Sequence, residues 1–201
     1  MTRVLLAEDQ GMMRGALALL LSLEPDIEVV AQVGSGDEVV AACLASHADV
    51  ALLDIEMPGQ SGLAAARQLR ELAPDCLVII VTTFGRPGYL RQAMEAGARG
   101  FVVKDGPVDQ LAGIIRRVLA GERVIDPALA AAALSSGPNP LTERERVVLA
   151  AATDGAPVGE IASQLHLSKS TVRNYLSSAI QKTSTRNRIE AAQAARHYGW
   201  L

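Results

Sequence analysis

Five apolar runs, near residues 3–7, 27–33, 49–53, 77–82 and 100–103, alternate with helix-patterned stretches near 11–23, 35–46, 62–72, 87–96 and 107–120. Val-Ile-Ile-Val at 78–81 and Val-Ala-Leu-Leu at 50–53 are apolar on both faces, as strands of a parallel sheet covered on both sides are. Five strand–helix units in succession imply an open parallel sheet with helices on both faces. In such sheets the site lies at the carboxyl ends of the strands, beside the point where the strand order reverses. The residues just after each strand are therefore the first candidates for chemistry. Aromatic residues are 3% of the chain, so its cores are built from Leu, Ile, Val and Ala.

Beyond residue 120 the pattern changes. Pro127, a run of alanines and then Ser135-Ser136-Gly137-Pro138-Asn139-Pro140 read as a short helix followed by a flexible linker. From Leu141 onward the pattern is helical, with no strand signals. The expected division is a first domain over 1–121, a linker over 122–139 and an all-α domain over 140–201. Charge divides in the same way. Residues 138–201 carry 8 Lys and Arg against 5 Asp and Glu, whereas residues 1–137 carry 11 against 17. A basic back half is compatible with nucleic acid as its partner. The two cysteines, Cys43 and Cys76, are far apart in sequence, which argues against a disulfide framework or a zinc site and fits a reducing compartment. The N-terminus does not read as a signal peptide, and no apolar run approaches the length of a membrane span. A cytoplasmic protein without membrane insertion is expected.

The strand ends carry an unusual set of groups. Glu8 and Asp9 follow the first strand, Asp54 the third and Lys104 the fifth, while Thr82 ends the fourth. Parallel order brings the first and third strands together, so three carboxylates converge. Such a cluster repels itself unless a cation neutralises it, and Mg²⁺, a hard ion with oxygen ligands, suits it. A carboxylate beside Mg²⁺ can act as a nucleophile toward phosphorus, and a Lys and a Thr hydroxyl opposite it would bind phosphoryl oxygens. Solvated strand-end acids are the plain alternative, and the occurrence of all five groups at the right ends weighs against it. Gly34-Ser35-Gly36 also follows a strand, like a dinucleotide fingerprint, but Val39 stands at the third glycine position, so a loop is expected there.

Ala-Glu-Asp-Gln at 7–10, Leu-Leu-Asp-Ile-Glu-Met-Pro-Gly at 52–59 and Gly-Phe-Val-Val-Lys-Asp at 100–105 resemble the receiver domain of response regulators, over about residues 1–120. The resemblance implies a flavodoxin-like (βα)5 fold with Asp54 as phosphoacceptor. Glu8, Asp9 and Asp54 would hold Mg²⁺, with the backbone carbonyl of Glu56 completing the site. Thr82 and Lys104 would contact the phosphoryl group, and Phe101 would be the aromatic that moves inward with Thr82. Gln10 and Asp105 stand where many receivers have an acid and a proline. An aspartyl-phosphate phosphatase would carry a second Asp two residues after its nucleophile, and this chain has Glu56 there. The reading is accordingly a regulator and not an enzyme.

In the last third, Thr142 can cap a helix with Glu145 as partner in a capping box, and Val148, Leu149 and Ala152 carry its apolar stripe. Pro157 starts a second helix that buries Ile161, Ala162 and Leu165. His166-Leu167 is a turn, Ser168 caps the next helix, and a last helix spans about 187–197. Two helices joined by a short turn make a helix-turn-helix. Leu-Thr-Glu-Arg-Glu at 141–145, Glu160-Ile161-Ala162, Leu167-Ser168, Thr171-Val172-Arg173-Asn174 and Asn187-Arg188 resemble the four-helix output domain of LuxR/NarL/FixJ-type regulators. Departures are Gly159 inside a helix and Thr183-Ser184 where the family tends to have Leu-Gly. Val172, Leu176 and Ile180 should face the core, turning Arg173, Asn174 and Ser177 outward. Arg173 and Asn174 would read base edges, with Lys169, Ser170 and Thr171 nearer phosphates.

The expected function is a two-component transcription regulator. Ala7-Glu8-Asp9-Gln10, Asp54-Ile55-Glu56-Met57-Pro58-Gly59 and Thr82-Thr83-Phe84-Gly85-Arg86-Pro87-Gly88-Tyr89 most resemble the DesR-type subgroup, a resemblance that implies control of membrane-lipid desaturase genes. Its expected partners are a sensor histidine kinase, promoter DNA and a second copy of itself, with RNA polymerase a further candidate. The first helix has two apolar stripes. Met13, Leu17 and Leu20 can face the sheet, while Met12, Ala16, Leu19 and Leu23 recur on another face. With Ile114 and Val118 of the fifth helix, that second stripe is either a dimerisation surface or partly covered by the fifth helix.

Overall fold

The computed structural model describes residues 1–83, 85–104, 110–135, 139–153 and 155–201. Expectations for Asp105, for residues 107–109 of the fifth helix and for the linker residues 136–138 lie outside the described residues. The chain divides into two compact units, one of Met1–Gly85 with Leu90–Ala130, the other of Ala131–Leu201 with Arg86–Tyr89.

In the first unit β1 (Thr2–Ala7), β2 (Ile27–Val33), β3 (Val50–Leu53), β4 (Leu77–Thr82), β5 (Gly100–Val103) and β6 (Val124–Ile125) form a parallel sheet in the order β2-β1-β3-β4-β5-β6. Between them run α1 (Gly11–Ser22), α2 (Val39–Ser46), α3 (Gly62–Leu72), α4 (Pro87–Glu95) and α5 (Gln110–Leu119). Every residue of β3 is buried, as are Val4–Ala7 of β1, which is why these runs are apolar at every position. Alternate residues serve opposite faces. Val4, Leu6, Val50, Leu52, Ile79 and Val81 pack with Leu17 and Leu21 of α1 and Leu111, Ile115 and Val118 of α5.

Three details differ from the sequence reading. The inward stripe of α1 ends on Leu21, while Leu20 is exposed, because a contact at Leu17 is continued four residues on. Val118 is fully buried against the sheet and offers nothing to a dimer surface. Val124 and Ile125, read from sequence as linker, pair in register with Gly100 and Phe101. Two residues are too short for a periodic signal. The loop expected at 34–36 is a short 3₁₀ turn (Gly36–Glu38) capped by the Ser35 side chain, and a Cβ on Gly36 would lie 1.9 Å from the Gln60 carbonyl oxygen. Packing against that loop explains this glycine without a nucleotide.

After β6, α6 (Pro127–Ser135) follows, with its start capped by Asp126, whose carboxylate accepts from Leu129 N–H at 2.9 Å. The second unit holds α7 (Glu143–Ala151), α8 (Val158–Gln164), α9 (Lys169–Lys182) and α10 (Arg188–His197). Its core is Leu149, Ile161, Val172 and Leu176, with Ala152, Ala179, Ala191, Ala192 and Ala195 where helices meet. Among the described residues, no helix is long and apolar enough to cross a membrane.

Helices α8 and α9 both end in the same device. The residue after the C-cap takes left-handed backbone, His166 at φ 53° and Ser184 at φ 52°. The next N–H then returns to the last turn, Leu167 to the Ala162 carbonyl and Thr185 to the Ile180 carbonyl. This closure favours glycine, because a Cβ is strained there. Ser184→Gly should therefore stabilise the helical unit by about 0.5–1 kcal/mol, measured by urea denaturation with Trp200 fluorescence. A neutral or destabilising result would mean that the Ser184 backbone carries no strain.

Candidate functional site

The strand order reverses between β1 and β3, and there the sheet ends in acids. Glu8 follows β1 and Asp54 follows β3, and both are buried, at 1% and 6% exposure. Asp9 is exposed beside them. One carboxylate oxygen from each lies within 4.8 Å of the others. Lys104, just beyond β5, reaches across the sheet end. Its Nζ donates to Glu8 Oε2 at 2.5 Å and to Asp54 Oδ2 at 2.8 Å. Burial alone would push the Lys104 ammonium down. The hydrogen bonds and charges of Asp54 and Glu8 outweigh this and hold it above the usual lysine value.

Backbone geometry fixes both acids. Asp54 Oδ1 accepts from Ile55 N–H at 2.7 Å, leaving Oδ2 to the lysine. Glu8 Oε1 accepts from Gln10 N–H at 3.3 Å, and Arg14 Nη1 donates to the Glu8 carbonyl at 2.5 Å. The turn after Asp54 folds back tightly. Gly62 N–H donates to the Ile55 carbonyl, and a Cβ at 62 would lie 1.8 Å from the Asp54 carbonyl oxygen, so only glycine fits. Thr82 is fully buried at the end of β4, with its carbonyl accepting from Lys104 N–H at 2.8 Å. Phe101 of β5 is buried, and the Glu56 side chain is exposed.

The five strand-end groups are thus brought to one end of the sheet. Three carboxylates against one ammonium leave a formal charge of −2 around donors that are all oxygen. That set fits a hard divalent cation. Arg14 and Gly62, which hold the acids in place, were not singled out in the sequence. Arg14 sits one helical turn beyond Gln10 and carries no motif of its own.

The second unit presents a different surface. On α9, Lys169, Ser170, Arg173, Asn174 and Ser177 are exposed, while Val172 and Leu176 are buried and Ile180 partly so. Thr171 is half-buried, and its hydroxyl and that of Ser170 each lie 2.8 Å from the Ser168 hydroxyl that caps the helix. Helix α9 is held by Glu145. Within the capping box, Glu145 Oε2 accepts from Thr142 N–H at 2.7 Å, and the carboxylate also accepts from Ser178 Oγ at 2.6 Å and Lys182 Nζ at 2.8 Å. Sequence reasoning found the cap but not the second use of its glutamate, since contacts between helices leave no local spacing.

On α1 and its C-cap residue, Met12 and Leu23 are 91% and 72% exposed, and Ala16 and Leu19 are exposed with them. The fifth helix does not cover this stripe. Ile114 is half-buried.

Residues 4–116 match the family described as response regulator receiver domain, and residues 139–195 match that of bacterial regulatory proteins, luxR family. The transcriptional regulatory protein DesR of Bacillus subtilis is 44% identical over 201 residues, covering all of both chains. The transcriptional regulatory protein YvfU of the same organism, itself uncharacterized, is 45% identical with the same coverage. In fold, the chain is similar to the RcsB response regulator of Salmonella typhimurium, with a TM-score of 0.71 at 21% identity over 98% of this chain and 100% of that one.

The charge on Glu145 has a pH signature. Burial pushes its carboxyl up, but the hydrogen bonds from Lys182, Ser178 and Thr142 outweigh this and bring it down to about 2. A depressed carboxyl stabilises the folded state above its unfolded value, near 4.5, and that stability is lost as pH falls toward the folded value. Lys182 is partly exposed, so screening limits the effect to about 2 kcal/mol. In urea unfolding followed through Trp200, Glu145→Gln should be less stable than wild type by that amount near neutrality. The gap should close between about pH 4.5 and pH 2, and a gap unchanged across that range would reject the ion pair as its source.

Proposed function

The chain belongs to the response regulators that join a receiver domain to a LuxR-type DNA-binding domain, and from that premise we propose that phosphorylation of Asp54 controls its binding to promoter DNA. It is a two-component transcription regulator. The division proposed is a receiver over 1–121 completed by the β6 strand at Val124–Ile125, a linker over the remainder of 122–139 and a DNA-binding domain over 140–201. The observation that carries the reading is the Lys104 ammonium lodged between Glu8 and Asp54, in a cluster whose remaining charge suits one dication.

In this reading the carboxylates of Glu8, Asp9 and Asp54 and the main-chain carbonyl of Glu56 would hold Mg²⁺, which would supply positive charge against the incoming phosphoryl group. The donor is a phosphohistidine of a sensor kinase. An Asp54 carboxylate oxygen forms the new P–O bond as the P–N bond breaks, and the bonding pair leaves with the histidine ring. Lys104 keeps its place at the sheet end and takes a phosphoryl oxygen, and the Thr82 hydroxyl takes another. Thr82 and Phe101 then serve as the switch. The exposed stripe of Met12, Ala16, Leu19 and Leu23 on α1, with Ile114 at its margin, is the proposed dimerisation surface. Val118 is withdrawn from that surface by its burial. RNA polymerase is proposed as a partner of the DNA-bound form.

Incubated with Mg²⁺ and acetyl phosphate, the chain should gain one phosphoryl group in intact mass and sediment as a dimer. Asp54→Asn should do neither, and Leu19→Arg should gain the adduct but stay monomeric. A phosphoryl adduct persisting on Asp54→Asn would sink the phosphoacceptor assignment, and a dimer of phosphorylated Leu19→Arg would move the interface elsewhere.

On DNA, α9 would lie in the major groove, with two copies on half-sites about 10 base pairs apart. Arg173, Asn174 and Ser177 face outward for base readout, with Lys169, Ser170 and Thr171 near phosphates. Arg173→Ala should cost on the order of 1–3 kcal/mol and relax preference at one base position, while Lys169→Ala should weaken all sequences alike and lower the salt dependence. Titrations of an operator and its single-base variants at several salt concentrations separate the two. Equal loss by Arg173→Ala on every sequence would make Arg173 a phosphate contact.

A further inference from the structure

Gly159 stands in the first turn of α8, where glycine weakens a helix and alanine would not. Its backbone does not require glycine, because its φ lies outside the left-handed region. The space beside it does. A Cβ at 159 would lie 3.3 Å from Lys169 Cε and 3.7 Å from Lys169 Nζ, and among the described residues outside its own helix no other atom comes within 4 Å. Lys169 is the first residue of α9, and the turn before it fixes where its side chain starts. Leu167 N–H donates to the Ala162 carbonyl at 2.9 Å, and the Ser168 hydroxyl accepts from Thr171 N–H at 3.1 Å. From there the lysine stem folds back over the start of α8, while its residue remains exposed. The chain has three lysines. Lys104 is paired with Glu8 and Asp54, and Lys182 with Glu145, whereas Lys169 makes no ion pair among the described residues.

We propose that Gly159 is a positioning residue for DNA binding, a seat that holds the Lys169 ammonium in place for one phosphate of the DNA backbone. The inference rests on the reading that α9 enters the major groove, and it adds a residue of α8 to that surface. A lysine side chain free in solvent has many rotamers, and their loss on binding opposes association. A stem already lying across the first turn of α8 has given up part of that freedom before the duplex arrives. Any side chain at 159 would occupy the same space and push the stem off the helix. The two exposed cations of α9 then divide the work. Lys169, turned back toward α8, takes a phosphate and fixes register, while Arg173 is left to the base edges. The glycine thus gives up helix stability for the placement of one charge.

The test uses the full chain, treated with acetyl phosphate and Mg²⁺, on a duplex that the wild type selects from a random-sequence pool. Binding is titrated at several salt concentrations, and stability is followed by urea unfolding through Trp200. Lys169→Ala should weaken binding on the order of five- to tenfold per bound subunit at about 0.1 M salt, and flatten the dependence of log affinity on log salt by about 0.9 per subunit. Gly159→Leu, which fills the seat, should do the same, with Gly159→Ala between it and the wild type. Both glycine variants should be at least as stable as the wild type, since Leu and Ala are the better helix formers. Gain in stability with loss of binding is a pairing that a merely structural glycine would not produce. Gly159→Leu combined with Lys169→Ala should bind no worse than Lys169→Ala alone. The inference is overturned if Lys169→Ala is weakened while both glycine variants keep the wild-type affinity and salt dependence, or if the combined variant loses the sum of the two effects. Should Gly159→Leu be unstable, Gly159→Ala decides by the same comparison. A Lys169→Ala that binds as tightly as the wild type rejects the lysine's phosphate contact itself, and a wild type that selects no duplex rejects the DNA-binding reading; the inference falls in either case.

Discussion

Two carboxylates buried side by side at the end of a sheet cannot both stay ionised without a counter-charge, and in this protein Lys104 supplies it. Desolvating an ion costs several kcal/mol, and removing one partner of a buried pair costs a comparable amount because the other is left stranded. The position of Lys104 is therefore set by the acids as much as by β5. The lysine also ties β5 to the paired strands β1 and β3, from which β4 separates it in the sheet, since Glu8 follows β1, Asp54 follows β3 and Lys104 follows β5. Around this contact the loops are drawn tight, with Arg14 on the Glu8 carbonyl and Gly62 against the Asp54 carbonyl. The same geometry leaves Asp9 facing water and an uncompensated charge of −2, so the sheet end is stable only in part and open to a cation.

The sheet was readable from the sequence because β1, β3 and β4 are buried on both faces and so carry unbroken apolar runs. The ends of the strands followed, and with them the acids, Thr82 and Lys104, since a parallel sheet sends every strand's carboxyl end to one side. The misses share a cause. Val124–Ile125 is too short for periodicity and takes its place from pairing with β5. Leu20 and Leu21 are adjacent identical residues, and only the packing of Leu17 decides which of them is inside. Val118 and Met12 are both apolar on helices beside one another, yet one is core and the other surface. Composition cannot separate them, because the difference lies in which way each helix is rotated against the sheet.

In the helical unit the local signals were strong, as caps are written in neighbouring residues. Thr142 with Glu145, Ser168 and Asn187 all cap the helices they precede. What spacing could not reveal is that the Glu145 carboxylate, having closed its own helix, also receives Ser178 and Lys182 from α9. One side chain thus starts α7 and sets the height of α9 against it.

The alanines of this core have a consequence for how such a protein diverges. Where Ala179 of α9 and Ala191, Ala192 and Ala195 of α10 are buried, the contacting side chains are single methyl groups. Helices packed through methyl groups approach closely, and a larger residue at any of these positions meets backbone that cannot recede. Helix α9 therefore carries two sets of positions that do not compete. Val172, Leu176 and Ala179 answer only to the interior, while Arg173, Asn174 and Ser177 answer only to what lies outside. A lineage can rewrite the second set residue by residue, and with it the surface presented, while inheriting the first set unchanged.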